Sequence, residues 1–390
     1  MSGAACETGT ARDGTDIDDL PALTAIEDLR IGDVADPNVG FSRIAGVTVD
    51  RGGRIYVLEG QDRHIRVYDP DGTLLRIIGG PGEGPGEFRS VTRFGFKGDT
   101  LWVNDNQLRR ITMFDTNGEV LVTFTAGTLQ PEIQESGVFI LQMAGALRAD
   151  GLLDSAFPPL FGYRPEATLP DSMMIPLLRF DRAGNVVDTT RSVAFHPGGG
   201  RSERIAVGGE QVRTPAAPLD TPLRIPVEDD LITVTRWASA TRDAARFTIT
   251  RINNVADTLQ HDTFSYTPRP FTEAFVDSLV ARSTETAVRT AGVDRAAAES
   301  ALRGATDLPP FAPPISLALT GTDGTLWLRT DDDGSPTFRW IVLSADGSPR
   351  AALDLPRRLT LHWMSGDVVF AVDRDELDIP WLVRLRIGGE

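Results

Sequence analysis

The chain has 390 residues, with 39 Lys plus Arg against 55 Asp plus Glu, so its formal net charge at pH 7 is −16. This acidic balance, without a Lys/Arg run, excludes the basic footprint of nucleic-acid binders, and no nucleic-acid partner is expected. Hydrophobic residues make up 41% of the chain, which is typical of a folded globular protein. No run of about 18 apolar residues occurs, so no transmembrane helix is predicted. The single cysteine, Cys6, excludes an intrachain disulfide.

Residues 1–21 have the composition of a disordered tail that ends before the folded domain. Small residues precede Cys6, and a polar, acidic run continues through Asp19. This arrangement resembles the end of a bacterial lipoprotein signal, in which the cysteine is acylated, although the basic and apolar parts of such a signal do not precede it here. Two explanations stay open. Either upstream sequence supplies the signal and Cys6 is a lipidation site that tethers the protein to a membrane, or Cys6 is incidental.

Short strand-like segments around glycine turns then recur along the chain. The first copy consists of two hairpins, and in the second of them Asp71-Gly72 separates two strand-like runs. Four such copies are clear, and their hairpin pairs lie at 47–57 and 65–77, 94–103 and 111–122, 146–153 and 178–187, and 317–328 and 341–347. Weaker copies lie at 230–259 and 359–387. A period of about 45 residues with four strands per copy is typical of the blade of a β-propeller.

Six copies predict an all-β fold, a six-bladed β-propeller that occupies residues 22–390 as one domain. The last copy has only three strand-like segments, at 359–363, 368–372 and 382–387. The segment at 23–31 precedes the first copy and is free to supply the fourth strand. Such a strand closes the ring and removes exposed sheet edges.

A helical insertion interrupts the repeats between the fourth and fifth blades, at residues 271–304. Phe271, Phe275 and Leu279 recur at a spacing of four residues, and Asp294 is a candidate helix cap. Two placements stay open. The insertion packs as a helical hairpin on the ring, or it forms a lid over the central channel.

The loop between the first two blades carries a family resemblance. Its sequence, GGPGEGPGEF at residues 79–88, resembles the inter-blade segment of NHL-repeat propellers, and the runs at 46–50, 54–57 and 65–69 complete one such unit. The chain therefore resembles bacterial six-bladed β-propeller proteins of NHL-repeat type, many of which are exported or lipid-anchored. The resemblance implies an extracytoplasmic protein, periplasmic or at the cell surface. It is specific for the fold and says little about function.

Two polar loops are the candidate binding site, because loops between the second and third strands of neighbouring blades share one face of a propeller. The predicted ligand-binding residues are Gln61, Asp62, Arg63, His64, Asn104, Asp105 and Asn106. Their carboxylate and amide oxygens suit a hard cation such as Ca²⁺. The alternative is that both loops are solvated turns, which are commonly rich in Asp and Asn.

Other motifs give no catalytic residue, metal ligand or cofactor. The four histidines, His64, His196, His261 and His362, lack the spacing of a helical zinc site and are interpreted as surface or strand residues, although a ring can bring distant positions together at its centre. The carboxylate runs at 331–334 and 373–378 are interpreted as turns or solvated edges. Gly198–Gly200 lacks the context of a phosphate-binding loop, and no Gly-x-Ser-x-Gly occurs.

Two function classes remain. The first is a non-catalytic, exported, monomeric propeller that binds a protein, peptide or glycan on its loop face. The second is a divalent-metal-dependent lyase or lactone hydrolase with an ion such as Ca²⁺ in the central channel, and it rests on analogy of fold alone. Geometry separates the two classes, because an enzyme of the second class needs three or four Asp, Asn, Glu or His side chains that converge on the ring axis. The first class is the leading hypothesis.

Overall fold

The computed structural model describes most of the chain and consists mainly of antiparallel β-sheet with two α-helices. The described residues are 10–33, 39–126, 128–133, 138–148, 150–155, 160–163, 173–195, 200–201, 204–215, 217–218, 223–227, 230–239, 245–253, 257–306, 308, 311–330 and 335–389. The predicted all-β class and the helical insertion are both confirmed.

The first two complete repeats form two regular four-stranded sheets. The N-terminal segment contains β1 (Thr10–Asp16) and β2 (Ala22–Ile31). The first sheet contains β3 (Ile44–Val49), β4 (Ile55–Glu59), β5 (His64–Tyr68) and β6 (Leu74–Gly79). The second sheet contains β7 (Val91–Lys97), β8 (Thr100–Asp105), β9 (Arg110–Phe114) and β10 (Val120–Thr125). Both sheets follow chain order, so each is built from consecutive hairpins.

The middle of the chain is less regular. The third sheet contains β11 (Thr128–Ile133), β12 (Val138–Leu147), β13 (Leu153–Ser155), β14 (Leu160–Tyr163), β15 (Met173–Phe180) and β16 (Val186–Phe195). Short strands follow, β17 (Gly200–Arg201), β18 (Arg204–Val207), β19 (Glu210–Arg213) and β20 (Ala217–Pro218). The fourth sheet contains β21 (Leu223–Val227), β22 (Asp230–Ser239), β23 (Arg246–Ile252) and β24 (Thr258–Ser265).

The C-terminal part begins with the helices and ends in an eight-stranded sheet. The helices are α1 (Glu273–Ala291) and α2 (Arg295–Gly304). The strands are β25 (Ile315–Thr320), β26 (Leu326–Thr330), β27 (Thr337–Leu343), β28 (Pro349–Pro356), β29 (Leu359–Ser365), β30 (Val368–Arg374) and β31 (Pro380–Gly388). The sheet consists of β25–β28 and β29–β31 as two antiparallel runs, with β2 between them.

A recurring aspartate explains why the outer hairpins form where the sequence predicts them. Oδ1 of Asp69 accepts hydrogen bonds from the amides of Asp71 and Thr73, at 3.0 and 2.8 Å. Asp115 and Asp181 make the same pair of bonds in the second and third sheets. In each turn the glycine three residues later has a positive φ, which only glycine adopts at little cost.

The hydrophobic core lies between neighbouring sheets rather than within one. Tyr56 and Leu58 of the first sheet pack with Leu101 and Val103 of the second. Other clusters join the second sheet to the third, the fourth sheet to β25–β28, and β25–β28 to β29–β31. A further cluster joins β30–β31 to the first sheet, so the last sheet packs against the first. Face-to-face packing of successive sheets that returns to the first sheet is the arrangement of a β-propeller.

The N-terminal segment adds one strand to the fourth sheet and one strand between the two runs of the eight-stranded sheet. β1 pairs in parallel with β24, and Ile17, which follows it, is only 2% exposed. β2 pairs in parallel with β28 at two residues and then antiparallel with β31 from Thr24 to Ile31, which is the pairing predicted for that segment.

The disorder predicted for residues 1–21 is therefore wrong for the strand at Thr10–Asp16 and for the buried Ile17. Strand pairing uses backbone N–H and C=O groups, so a polar sequence can still extend a sheet edge. Residues 1–9, which include Cys6, lie outside the described residues.

The helical insertion packs against the β18–β19 hairpin. Thr272 and Asp294 cap α1 and α2 through their side-chain oxygens, and Gly292, with φ of 66°, ends α1. Val207 and Val212 of the hairpin share one buried cluster with five residues from the helices and the turn between them. Neither placement considered from the sequence included this hairpin. Across the described residues, no helix combines the length and the apolar character that a membrane crossing requires.

Candidate functional site

A cleft with a volume of about 370 Å³ opens between the first and second sheets, and we call it the loop cleft. Three chain segments line it. Arg43 comes from the segment before β3, Gln61 and Arg63 from the β4–β5 turn, and Arg89 and Ser90 from the segment before β7. The cleft thus contains two of the residues that the sequence predicts as ligand contacts.

The base of the loop cleft is a buried ion pair. Glu59 is fully buried, and its Oε2 accepts hydrogen bonds from Ser42 Oγ at 2.9 Å and from the Arg43 amide at 3.4 Å. Its Oε1 lies 3.7 Å from Nη2 of the buried Arg66. Because the two charges offset each other, the base is close to neutral, and the net charge of the cleft depends on the groups at its walls.

The turn that carries Gln61, Asp62 and Arg63 is rigidly defined. The Arg63 amide donates to the Glu59 carbonyl at 2.9 Å, and Arg63 has a φ of 57°, a left-handed conformation that is unfavourable for a residue with a β-carbon. Asp62 Oδ2 lies 3.0 Å from Ser42 Oγ and shares with Glu59 the single proton of that hydroxyl. The backbone therefore fixes where the Arg63 side chain begins, at the rim of the loop cleft.

His64 is a half-buried neighbour of the cleft rather than a lining residue. Its Nε2 lies 3.4 Å from Arg66 Nε, which donates to it. Burial, followed by the charge of Arg66, lowers the pKa of His64, although Glu59 and Asp62 act in the opposite direction. We conclude that His64 is favoured as the neutral acceptor in this position.

The second predicted loop positions a wall of the cleft. Asp105 is 1% exposed, and its carboxylate accepts hydrogen bonds from the amides of Arg89, Ser90 and Leu108 at 2.6, 3.0 and 2.9 Å. The Asn106 amide donates to the Ser90 carbonyl at 3.1 Å. Because these bonds occupy its oxygens, Asp105 contributes to the cleft indirectly. It positions Arg89 and Ser90, which line the cleft.

Asn104 points away from the loop cleft. It is 1% exposed, and its Nδ2 donates to the Ala144 carbonyl of β12 at 2.8 Å. This bond ties the second sheet to the third. The structure thus brings Gln61 and Arg63 into the cleft, places Asp62, His64, Asp105 and Asn106 beside it, and separates Asn104 from it.

The glycine-rich loop is held by an arginine rather than shaped to bind phosphate. Arg110 donates to the carbonyls of Glu83, Gly84 and Glu87, at 2.9, 2.6 and 2.8 Å. Phe88, which is 1% exposed, packs edge-on against Phe114 with ring centroids 6.0 Å apart. The loop motif is therefore explained by the fold, since it anchors the connection between two sheets.

Two arginine side chains give the walls of the loop cleft a positive charge. Arg43 and Arg63 are exposed at its walls, and neither has a carboxylate partner among the residues that the structure describes. Arg89, by contrast, pairs with Glu83. In a chain with 16 more acidic than basic residues, two arginines that lack such partners mark a local site for an anion.

Gly60 lets Arg43 lie across the turn. A β-carbon at Gly60 would lie only 2.6 Å from Arg43 Nη2, so any other residue would displace the guanidinium. Arg43, Arg89 and Ser90 were not predicted as site residues. Their signal is their position, because Arg43 lies just before β3 and the pair Arg89-Ser90 lies just before β7.

The first strands of neighbouring sheets contact one another, as β3 does with β7 and with β29 and as β21 does with β25. These strands carry Arg93, Arg224 and His362, and burial lowers the pKa of all three, with Arg374 contributing at His362. The guanidinium groups of Arg93 and Arg224 are unsuited to coordinate a divalent ion, whereas a neutral imidazole such as that of His362 can serve as a metal ligand. Within the described ranges, no three His, Cys, Asp or Glu side chains are grouped so as to hold a metal.

The histidines, glycines and acidic runs that the sequence singled out lie away from the loop cleft or outside the described residues. His261 is exposed, with Nδ1 2.9 Å from Thr250 Oγ1. In the run at 373–378, Asp373 is buried and binds Arg30 and Arg358, each at 2.7 Å, whereas Asp375 caps a turn. His196, the glycines at 198–199 and the run at 331–334 lie outside the described residues.

Comparison with known proteins supports the fold. A family described as a 6-bladed beta-propeller matches residues 38–130. A Bacteroides fragilis protein described as exported is similar over 97% of this chain and 100% of its own, with 12% identity and a TM-score of 0.51. No curated protein sequence matches the chain significantly.

Two further structures resemble the chain more distantly. A Bacteroides vulgatus protein covers 94% of this chain and 99% of its own, with 10% identity and a TM-score of 0.41. Virginiamycin B lyase from Staphylococcus aureus covers 93% and 98%, with 11% identity and a TM-score of 0.38. Such low scores carry no functional argument. The fold and the sheet packing define the class, a β-propeller with two helices inserted.

Proposed function

We propose that the chain is a non-catalytic binding propeller that recognises an acidic segment of a peptide or protein through the loop cleft. The observation that carries the proposal is the pair of exposed arginines, Arg43 and Arg63, that line a cleft of about 370 Å³ without a carboxylate partner among the described residues. A carboxylate that binds between them gains charge-assisted hydrogen bonds, each of which contributes about 1.5–3 kcal/mol.

The cleft favours a peptide over a glycan. None of the residues that line it is aromatic, whereas a sugar ring is commonly held against an aromatic face. Gln61 and Ser90 add an amide and a hydroxyl, which suit the backbone of an extended peptide. No observation in the described residues favours the metal-dependent lyase or lactone hydrolase over this binding role.

Fluorescence anisotropy with a labelled octaglutamate peptide tests the proposal. Arg63→Gly removes the guanidinium and retains the left-handed backbone, and we expect it to weaken binding at least about tenfold. Gly60→Ala removes no charge but displaces Arg43, and it should weaken binding as well. Binding of the wild type should also decrease with rising salt, because exposed charges are screened.

The matched control is Arg109→Gly. Arg109 occupies the same turn position in the second sheet and also has a positive φ, at 49°, but it lies outside the loop cleft. Its replacement should leave peptide affinity unchanged. Equal loss in both glycine variants, or binding of hexagalacturonate in place of octaglutamate, would overturn the proposal for a peptide.

We also infer that the ring has six blades of NHL-repeat type. The first four sheets, the run β25–β28, and the run β29–β31 completed by β2 supply six units of at least four strands. The family that matches residues 38–130 is described as six-bladed, and the glycine-rich motif at 79–88 supports the NHL type. A crystal structure with any other number of sheets around the axis would contradict this count.

For localisation, we propose export with a lipid anchor at Cys6. The small residues before Cys6 and the polar run after it support this assignment. Expression from the native locus should place the protein in the membrane fraction, and Cys6→Ser should release it. If the Cys6→Ser protein fractionates as the wild type does, the anchor is ruled out.

A further inference from the structure

A second cleft lies at the β10 edge of the second sheet, beside the β15–β16 turn of the third sheet, and we call it the edge cleft. Its volume is about 520 Å³. Thr123 and Thr125 of β10 line it together with Arg109, and so do Ala183 and Gly184 of the turn. The edge cleft shares no lining residue with the loop cleft.

The strand β10 presents an unpaired backbone edge to this cleft. It is the last strand of its sheet, and among the described residues it pairs only with β9, continuously from Val122 to Thr125. The Ala126 amide donates to the Arg109 carbonyl at 2.9 Å, so these two residues face each other at a hydrogen-bonded position. Because such positions alternate along an antiparallel pair, the N–H and C=O groups of Thr123 and Thr125 point away from β9.

The fold itself covers two equivalent edges with an extended segment. β24 is the last strand of the fourth sheet, and β1 adds to it in parallel. β28 is the last strand of the run β25–β28, and Ala22 and Leu23 of β2 pair with it in the same direction. Last strands in this fold therefore accept another segment through backbone groups. Among the described residues, β6, β10 and β16 carry no such added strand.

The side chains of β10 distinguish it from the other two uncovered strands. It contains no charged residue, whereas β6 contains Arg76 and β16 contains Asp188 and Arg191. Charged side chains on an edge strand oppose the addition of another strand. Leu121 and Val122 of β10 are 58% and 41% exposed, so an apolar segment beside them buries hydrophobic surface.

The position of Arg109 selects the direction of the added segment. Arg109 is exposed and has no carboxylate partner among the residues that the structure describes. It lies at the Thr125 end of β10, because Thr125 pairs with the neighbouring Arg110. A segment that runs parallel to β10, as β1 does to β24, has its C-terminal end there. A terminal carboxylate then reaches the guanidinium, whereas an antiparallel segment brings its N-terminal end to the same charge.

We propose that the edge cleft binds the C-terminal segment of a partner protein, which adds to β10 as a parallel strand and places its terminal carboxylate against Arg109. The backbone of the segment pairs with Thr123 and Thr125, and its apolar side chains cover Leu121 and Val122. Acidic side chains gain nothing from an uncharged strand, so this ligand differs from that of the loop cleft.

Fluorescence anisotropy of the full chain with the peptide Gly-Ser-Thr-Val-Thr-Val, labelled at its N-terminus, tests this proposal. We expect the peptide with a free C-terminal carboxylate to bind at least about tenfold more tightly than the same peptide as a C-terminal amide. Arg109→Gly retains the left-handed backbone and should abolish this difference. Thr123→Pro removes an N–H that points away from β9, so the protein should stay folded and lose binding of both peptides.

The matched control is Arg289→Ala, which removes an exposed arginine of α1 that does not line the edge cleft. It should retain the preference for the free carboxylate. Octaglutamate, for which we propose the loop cleft, should not displace the peptide. Equal affinity of the two peptides for the wild type, or a preference that survives Arg109→Gly, would overturn the contact with the terminal carboxylate. Binding that survives Thr123→Pro, or displacement by octaglutamate, would overturn strand addition at β10.

Discussion

The first and second sheets have the same backbone arrangement but carry different residues at structurally equivalent positions. Glu59 pairs with Ile44 at the end of β4, and Asp105 pairs with Val91 at the end of β8, so the two carboxylates are structurally equivalent. The shorter Asp105 reaches three backbone amides of the loops around it. Glu59 extends further, and its second oxygen faces Arg66. Both carboxylates are held by groups of the fold, although Asp105 was predicted from the sequence as a ligand contact.

The turns that follow these two carboxylates also place equivalent residues in different surroundings. Arg63 and Arg109 both have a positive φ, yet Arg63 borders the loop cleft whereas Arg109 borders a different surface beside the third sheet. The last position of the turn holds His64 in one sheet and Arg110 in the other. The repeat therefore fixes the backbone, and the neighbouring segment decides what each side chain contacts.

The largest expected effect is at the glycine that ends the first sheet. Gly79 has a φ of 78°, and a β-carbon there would overlap the Phe88 ring. Gly79→Ala should lower the free energy of unfolding by about 3–4 kcal/mol, from backbone strain and overpacking together. Gly80→Ala is the control, because no atom lies within 4 Å of its β-carbon. Urea denaturation that gave equal losses would refute the role of the Phe88 contact.

Asp105→Ala tests the second sheet's carboxylate. It leaves the amides of Arg89, Ser90 and Leu108 without their acceptor, and we expect a loss of about 2–3 kcal/mol in urea denaturation. Glu87→Ala is the control, since its exposed carboxylate serves one amide, that of Gly84, at 2.7 Å. The loss there should be below about 1 kcal/mol. A fully stable Asp105→Ala protein would show that this carboxylate is dispensable to the fold.

The pH dependence of the free energy of unfolding tests the turn position that His64 occupies in the first sheet and Arg110 occupies in the second. Because the folded state lowers the pKa of His64, the unfolded chain binds a proton first as the pH falls below about 6.5, and stability decreases there. His64→Gln removes this titration, so its stability should change less between pH 7.5 and pH 5 than that of the wild type. Identical pH profiles would show that burial of His64 does not control this decrease.

The smallest expected effect concerns the two left-handed arginines. Arg63→Gly and Arg109→Gly each relieve backbone strain and also increase the freedom of the unfolded chain, so the free energy of unfolding should change by less than about 0.5 kcal/mol. Thermal denaturation of both proteins measures this. A large loss in only one of them would mean that its guanidinium, and not its backbone, supports the fold.

Much of the fold could be predicted from local patterns. The glycine turns located the outer hairpins, and the incomplete last repeat predicted that the segment at 23–31 completes the last blade, where it pairs with β31. The strand at Thr10–Asp16 could not be predicted, because it pairs with β24 through backbone groups, which leave no hydrophobic pattern in a polar sequence. The contact of the helices with the β18–β19 hairpin was also missed, since it joins segments about 70 residues apart.

The sequence by itself determined the repeat, the class of the fold and the polar loops, because turn chemistry and hydrophobic alternation are local properties. Only the tertiary structure decided which polar groups remain available to a ligand. Asp105 was predicted as a ligand contact, but backbone amides occupy its oxygens, whereas Arg43, which was not predicted as a site residue, lines the cleft. Hydrogen-bond satisfaction depends on segments that are distant in the chain, and no local pattern encodes it.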